Sequence, residues 1–168
     1  MPTKSEILDA SLDVLRQGEP LTLDSAARAA GLTKPGLVHH FRTKEVLTVA
    51  VVDHLLDKWE RELRLRLADD TPSARTRAYV DWALTGSLDA ADLAVLTDPR
   101  LRDKLTTLWE ERMTPWFGEP TDPRMVAVRL MADGAWLNRS FGMLQLPIED
   151  RDEVLALADG LLAEEVSA

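Results

Sequence analysis

Residues 22–44 constrain the fold of this chain more than any other stretch, because they form the pattern of two short helices joined by a tight turn. The first helix is rich in alanine, which lets a neighbouring helix approach closely. Gly31 follows it and can adopt the left-handed conformation of a sharp helix exit. Thr33 is a natural N-cap for the second helix, and Pro35 is tolerated in its first turn, where an N–H would have no helical partner. The stretch therefore predicts a helix-turn-helix.

The second short helix has an apolar and a polar side. At about 100° per residue, Leu37, Val38 and Phe41 share the apolar side, which would anchor the helix. The polar side holds Pro35, Gly36, His39 and His40. Gly36 lets a surface come close to the start of the helix, and His39 and His40 follow with polar rings. This arrangement suits a helix that enters the major groove of DNA.

Positive charge is concentrated in the same stretch. Between Ser25 and Lys44 the chain has four basic residues and no carboxylate, although its formal net charge is −9. Residues 1–50 carry six basic and six acidic side chains, so the excess of acid lies in the rest of the chain. A neutral N-terminal part with a basic face can contact nucleic acid while the acidic part lies away from it.

Residues 21–47 resemble the N-terminal signature of the tetracycline-repressor (TetR) family, which consists of all-helical homodimeric transcription regulators. The family pattern is matched at Thr22, Ala27, Ala30, Gly31, Leu32, Thr33, Gly36, Leu37, His40, Phe41, Lys44 and Glu45. The resemblance implies an all-α chain with a three-helix DNA-binding domain at residues 1–45 and a helical effector-binding and dimerisation domain at residues 46–168. Three positions depart from the pattern: Val38 replaces a tyrosine, Ala26 replaces an isoleucine, and Asp24 lies where a basic residue often approaches DNA.

The resemblance also implies which residues contact a double-stranded DNA operator. The residues expected to meet the groove are Lys34, Pro35, Gly36, His39 and His40. The residues expected to position the phosphates are Thr22, Thr33, Arg42 and Lys44.

The rest of the chain is also predicted to be helical, without strand-like alternation or internal repeats. A capping box at Thr3 and Glu6 begins a first helix that ends near Gly18. Thr43 caps a long helix that stops before Asp69. Proline and glycine residues divide the remainder into helical segments at residues 75–86, 92–96, 99–117, 124–144 and 149–164.

The last two helices bring small and apolar residues onto one broad side. These residues are Ala127, Leu130, Met131, Gly134, Ala135 and Asn138, and then Leu155, Ala158, Leu161 and Leu162. In the resembled family the last two helices of each subunit form a four-helix bundle, so the resemblance implies a homodimer through them. The alternative is that these residues face the core of their own subunit.

All five tryptophans lie at or after residue 59. A buried indole needs a partner for its N–H, and its face suits flat or cationic ligands. The resemblance implies a small-molecule effector bound in the body of the chain, and we expect it to contact Trp59, Tyr79, Trp82, Trp109, Met113 and Trp136. The alternative is ordinary core filling. Three nearby acids (Asp81, Glu110 and Asp133) would favour an aromatic cation, and residues 128–136 are similar to the multidrug-binding branch of the family.

Several classes of protein are disfavoured. The chain has no cysteine and no motif of a hydrolase, a phosphate-binding loop or a zinc protease, so we expect no catalytic residues, cofactor or metal. His39 and His40 are adjacent and make a poor chelate, and His54 is expected to be a packing or surface residue. Charged residues near the start and the lack of a long apolar run predict a cytoplasmic protein that does not bind a membrane.

Two hypotheses of function remain. The first is a ligand-responsive transcription repressor that leaves a palindromic operator when an effector binds. The second is a dimeric small-molecule or protein-binding module with little DNA affinity. Val38 and Asp24 favour the second hypothesis, whereas the intact turn and the basic stretch favour the first.

Overall fold

The computed structural model describes residues 1–87, 102–118 and 122–163, and every regular element within these ranges is an α-helix. The helices are α1 (Lys4–Arg16), α2 (Leu23–Ala29), α3 (Lys34–His40), α4 (Lys44–Arg64), α5 (Pro72–Thr85), α6 (Arg102–Phe117), α7 (Pro123–Ser140) and α8 (Ile148–Ala163). The predicted all-α class is confirmed. The segment predicted at residues 92–96 lies outside the described residues.

The chain divides into two compact units that do not coincide with a simple cut of the sequence. The first unit consists of Met1–Lys58 and Asp89–Glu110, and the second of Trp59–Leu88 and Glu111–Ala168. Helix α4 thus begins in the first unit and ends in the second. The domain boundary at residue 45 stays a prediction.

Local signals build the first unit, and all of them except the capping box at Thr22 are as the sequence predicts. Thr3 and Thr22 each form a capping box, at the starts of α1 and α2. Gly31 has a φ of +66°, and the N–H of Leu32 donates to the carbonyl of Ala27 at 2.8 Å. This hydrogen bond across a left-handed glycine closes α2 and sets the turn to α3. Thr43 caps α4, since its hydroxyl accepts from the N–H of Val46 at 3.1 Å.

Helices α5, α7 and α8 pack against one another in the second unit. Helix α5 begins at Pro72 rather than at residue 75, because the hydroxyl of Thr71 accepts from the N–H of Ala74 at 3.2 Å and a proline is well suited to the first position. The helix predicted for residues 124–144 is too long at its C-terminal end. It stops at Ser140, because Gly142 takes a φ of +64° and the N–H of Met143 reaches back to the carbonyl of Asn138 at 2.8 Å.

Candidate nucleic-acid interface and effector region

Helix α3 is anchored by its apolar side and presents its polar side to solvent. Leu37 and Phe41 are completely or almost completely buried in the first unit. Lys34, Pro35 and His39 are exposed. The structure thus gives α3 the two-sided character that the sequence predicts, and it leaves the N-terminal turn of the helix accessible.

The two histidines of α3 differ in exposure. His39 is exposed, whereas His40 is half-buried, and its Nε2 atom is shielded from solvent without a hydrogen-bond partner in the described part of the chain. The ring of His40 also lies against that of Phe41, with centroids 6.4 Å apart. Of the two rings, His39 is therefore the better placed to reach a base edge.

Two of the four bases in the positive stretch are already paired with carboxylates just outside it. The Nζ atom of Lys34 lies 2.9 Å from Oδ2 of Asp24, and Arg28 is paired with Glu19. Arg42 and Lys44 are exposed and have no carboxylate within salt-bridge distance among the described residues. The stretch lacks carboxylates in sequence, but the fold brings two of them to it.

Thr22 and Thr33, both expected to contact phosphates, are N-caps. The hydroxyl of Thr22 accepts from the N–H of Ser25 at 3.0 Å, and that of Thr33 accepts from the N–H of Gly36 at 3.3 Å. Each hydroxyl therefore begins a short helix of the helix-turn-helix. Contact of either hydroxyl with a phosphate stays a prediction.

Asp9 joins α1 to α4 in the first unit. Its Oδ1 atom lies 2.9 Å from Nε2 of His54 and 2.6 Å from Nζ of Lys58. Burial raises the pKa of Asp9, but the hydrogen bonds from Lys58 and His54 outweigh that effect and lower the pKa overall. His54 is thus part of an inter-helix contact, as the packing interpretation of this residue predicts.

Aromatic side chains form a connected cluster in the second unit. The ring of Trp59 lies 5.4 Å from that of Trp82 and 5.7 Å from that of Trp136, between centroids. Tyr79 stacks on Trp82 at 5.9 Å and meets Phe117 edge-on at 4.9 Å. Four of the expected effector residues are therefore brought together. The contacts show that their rings pack on one another, and they do not show a ligand-sized space between them.

Polar atoms of this cluster are partly satisfied by the protein itself. Tyr79 donates its hydroxyl to Asp133 at 2.6 Å, and Trp82 donates its indole N–H to Glu62 at 2.9 Å. Burial, and then the charge of Asp133, raise the pKa of Tyr79 well above its usual value. In contrast, the indole Nε1 of Trp136 is buried and has no hydrogen-bond partner among the described residues.

The remaining expected effector residues lie in different units. Met113 is buried in the second unit, whereas Trp109 is half-buried and belongs to the first. Of the acids proposed to favour a cation, Asp133 accepts the hydroxyl of Tyr79, and Asp81 lies 3.7 Å from Nε of Arg66. These two carboxylates are therefore already engaged.

A cavity of about 270 Å³ lies within the second unit, between the end of α5, helix α7, helix α8 and the loop that joins α7 to α8. Its walls contain none of the six expected effector residues. They include Met131, Gly134, Ala135 and Asn138, which were expected at a dimer interface. They also include Arg139 and Arg151, which were not predicted as site residues. Nothing in the local sequence pattern shows that two arginines 12 residues apart share a cavity.

The described residues lack two further kinds of site. None of their helices combines the length and the apolar character needed to cross a membrane. No group of three or more histidine, aspartate or glutamate side chains is positioned to hold a metal ion in these ranges.

A helix-turn-helix in one unit and an all-helical second unit define the class of helical transcriptional regulators. The chain belongs to the tetracycline-repressor family, because the family model described as "Tetracyclin repressor-like, C-terminal domain" matches residues 73–163, more than half of the chain. This assignment confirms the resemblance identified at residues 21–47. Family members are transcriptional regulators and not enzymes, which confirms the prediction of a non-enzymatic protein.

Curated relatives are regulators of the same kind. The chain is 34% identical to the HTH-type transcriptional regulator RutR of Escherichia coli K12 over 88 residues, which cover 51% of this chain and 42% of RutR. The chain thus matches less than half the length of that relative. It is 28% identical to the HTH-type transcriptional regulator BetI of Pseudomonas aeruginosa over 192 aligned residues, which cover 98% of this chain and 93% of BetI.

Solved structures show the same fold. The multidrug binding protein EbrR complexed with imidazole matches with a TM-score of 0.63 at 20% identity, covering 99% of both chains. A TetR transcriptional regulator from Rhodococcus sp. RHA1 matches with a TM-score of 0.52 at 18% identity, covering 94% of this chain and 92% of the other. At these identities the likeness concerns the fold alone.

Proposed function

We propose that the chain is a DNA-binding repressor that leaves a palindromic operator when a small effector binds. The observation that carries the proposal is the exposed polar side of α3, held in place by the buried Leu37 and Phe41 in a chain of this family. A helix anchored in this way can enter a major groove. The protein would bind its operator DNA in the cytoplasm.

Dimerisation through the last two helices is supported by apolar side chains that face solvent. Leu130 on α7 is 64% exposed, and Leu157 on α8 is 66% exposed. Leu137 on α7 and Phe141 just beyond its end are exposed as well. Apolar residues concentrated on two helices favour an interface, and two recognition helices about one duplex turn apart would read a palindrome.

The dimer proposal is tested by charge placed on this surface. Leu130→Glu and Leu157→Glu would convert the protein to a monomer in sedimentation-velocity measurements, because each buries a charge at the proposed interface. Leu65→Glu is the matched control, since Leu65 is 84% exposed and lies just after α4. Leu130→Glu and Leu157→Glu proteins that remain dimeric would place the interface elsewhere.

The aromatic cluster is the proposed effector site. Trp59 contacts Trp82 and Trp136, and Trp82 contacts Tyr79. An effector would have to separate rings that pack together in this structure. The buried indole N–H of Trp136 offers a donor to such a ligand. An effector can weaken the free energy of DNA binding only by the amount by which it binds the DNA-free state more tightly than the DNA-bound state.

DNA binding is tested with labelled DNA from upstream of the chain's own gene and with sites selected from random DNA. Lys44→Ala is expected to weaken binding to all sequences, because Lys44 is proposed to contact a phosphate, whereas His39→Ala is expected to change the preference among sequences. Arg61→Ala, at an exposed position of α4 in the second unit, removes the same charge and serves as the control. Fluorescence anisotropy at two salt concentrations measures all three. If neither Lys44→Ala nor His39→Ala changed DNA affinity, α3 would not be the groove-binding helix.

A dimeric binding module with little DNA affinity is the second candidate function. The ion pair of Asp24 with Lys34 favours it, because it neutralises a base at the start of α3. This candidate predicts an intact dimer that binds small molecules but selects no sequence from random DNA. Selection of a defined site would exclude it.

A further inference from the structure

The cavity of the second unit is mainly apolar with two cationic side chains in its wall. Leu84 from α5, Met131 and Ala135 from α7, and Leu144 and Val154 from the segment that follows supply apolar surface. Arg139 and Arg151 supply the charge. A volume of about 270 Å³ equals the liquid volume of roughly nine water molecules, which is the size of a small organic molecule.

Both guanidinium groups are held in place by backbone carbonyl oxygens. Arg139 donates from Nη1 to the carbonyl of Ala83 and from Nη2 to the carbonyl of Gly86, each at 2.6 Å. Arg151 donates from Nε to the carbonyl of Leu146 at 2.9 Å. Because a guanidinium has five N–H donors, each side chain keeps donors beyond those used here.

The two arginines are not neutralised by any carboxylate of the described residues. Among the described residues, neither Arg139 nor Arg151 has an acidic side chain within salt-bridge distance, although the second unit contains ion pairs such as that of Arg77 with Asp159. Burial, and then the nearby charge of Arg151, lower the pKa of Arg139. Two like charges beside one cavity repel each other, and an anion placed between them would relieve that repulsion.

We propose that this cavity is a binding site for a small carboxylate with an apolar body. The carboxylate would accept hydrogen bonds from the free donors of Arg139 and Arg151, and the apolar body would contact Leu84, Met131 and Ala135. Arginine suits this role because its planar donors match the geometry of a carboxylate. The site is distinct from the aromatic cluster, and its ligand has the opposite charge to the aromatic cation expected there.

The proposal goes beyond the proposed function, because it concerns a second ligand site outside the aromatic cluster. Isothermal titration calorimetry of the 168-residue protein without DNA tests it, with benzoate and octanoate as probes. Benzyl alcohol and octanol are the neutral counterparts, and acetate lacks the apolar body. We expect saturable binding of benzoate or octanoate, and binding at least tenfold weaker for the neutral molecules and for acetate.

Arg151→Gln is the first variant, because Arg139 also holds the end of α5 and its loss would disturb the fold. We expect Arg151→Gln to weaken carboxylate binding about ten- to a hundredfold, as the loss of a hydrogen bond to a charged group does. Arg61→Gln, at an exposed position of α4, removes the same charge from the same unit and is expected to leave binding unchanged.

Gly134→Leu is the second variant, and it enlarges a residue of the cavity wall without changing either arginine. A Cβ atom at Gly134 would have no other atom within 4 Å, so the added side chain extends into open space. We expect loss of carboxylate binding with a thermal transition at least as high as that of the unmodified protein. Equal affinity for benzoate and benzyl alcohol, no binding of either carboxylate, or full binding by Arg151→Gln would overturn the proposal. A protein that selects an operator but binds no carboxylate would refute this site alone.

Discussion

Asp24 of α2 and Lys34 of α3 form an ion pair, with Oδ2 and Nζ 2.9 Å apart, at the start of the helix proposed to read DNA. Both side chains are more than half exposed, and exposed ion pairs contribute little to stability. The pair therefore matters more for the charge that α3 presents than for the fold.

Replacing Asp24 with asparagine is expected to raise DNA affinity for all sequences. Lys34, which is expected to meet the groove, is then released from the carboxylate, and its charge can also neutralise a phosphate at the edge of the groove. The dependence of log affinity on log salt should steepen by about 0.9 for each Lys34 that gains a phosphate contact. Anisotropy titrations over a series of salt concentrations measure this slope. Asp70→Asn is the control, since Asp70 pairs with Arg75 in the second unit and the charge change is the same. An unchanged slope in Asp24→Asn would mean that Lys34 does not reach the backbone of DNA.

The Tyr79–Asp133 hydrogen bond is expected to stabilise the second unit. Tyr79→Phe leaves the partly buried carboxylate of Asp133 without its donor, which should lower the free energy of unfolding by about 1–3 kcal/mol. Urea denaturation measures the loss. Asp133→Asn keeps an acceptor for the hydroxyl and should cost less than Tyr79→Phe; the reverse order would show that the charge of Asp133 matters more than the hydrogen bond.

Tyr79 also predicts a loss of stability at alkaline pH. Its pKa is raised in the folded protein by burial and by Asp133, so the neutral form is favoured there. Stability is then unaffected below the usual tyrosine pKa of about 10 and falls as pH rises above it. Since Tyr79 is the only tyrosine, tyrosinate absorbance reports this group alone. Titration at the ordinary pKa in the folded protein would contradict the buried hydrogen bond.

Asp9 predicts the behaviour in acid. Its folded pKa is lowered, because the hydrogen bonds from Lys58 and His54 outweigh burial. Its stabilising contribution is therefore present above the unfolded pKa of about 3.9 and is lost as pH falls through the lower folded value. Asp9→Asn should flatten the decline of unfolding free energy below about pH 4. Asp13→Asn removes a charge from the same helix, where Asp13 pairs locally with Arg16, and should keep most of that decline.

Two glycine substitutions are expected to have opposite effects. Gly31→Ala places a side chain at a φ of +66°, which should cost about 1–2 kcal/mol although no atom lies within 4 Å of the new Cβ. Gly160→Ala lies within α8, also without a neighbour within 4 Å, and should stabilise by about 0.5–1 kcal/mol. Urea denaturation of both proteins measures the contrast. Equal effects would show that backbone conformation is not the cause.

The sequence by itself determined the local structure of this protein. The threonine caps at residues 3, 33 and 43, the left-handed exit at Gly31 and the two-sided pattern of α3 are all present in the structure. These features depend on atoms at most a few residues apart, so sequence spacing is sufficient to predict them. The end of α7 differs from the prediction, since Gly142 at a φ of +64° ends the helix at Ser140 rather than at residue 144.

Only the tertiary structure decided which distant side chains meet. Asp24 pairs with Lys34, Asp9 with His54, and Arg139 and Arg151 line one cavity. Residues expected at a dimer interface line that cavity, and Ala158 is completely buried within the second unit. The physical reason is that periodicity assigns a residue to a face of its helix, whereas the crossing of helices decides what that face contacts.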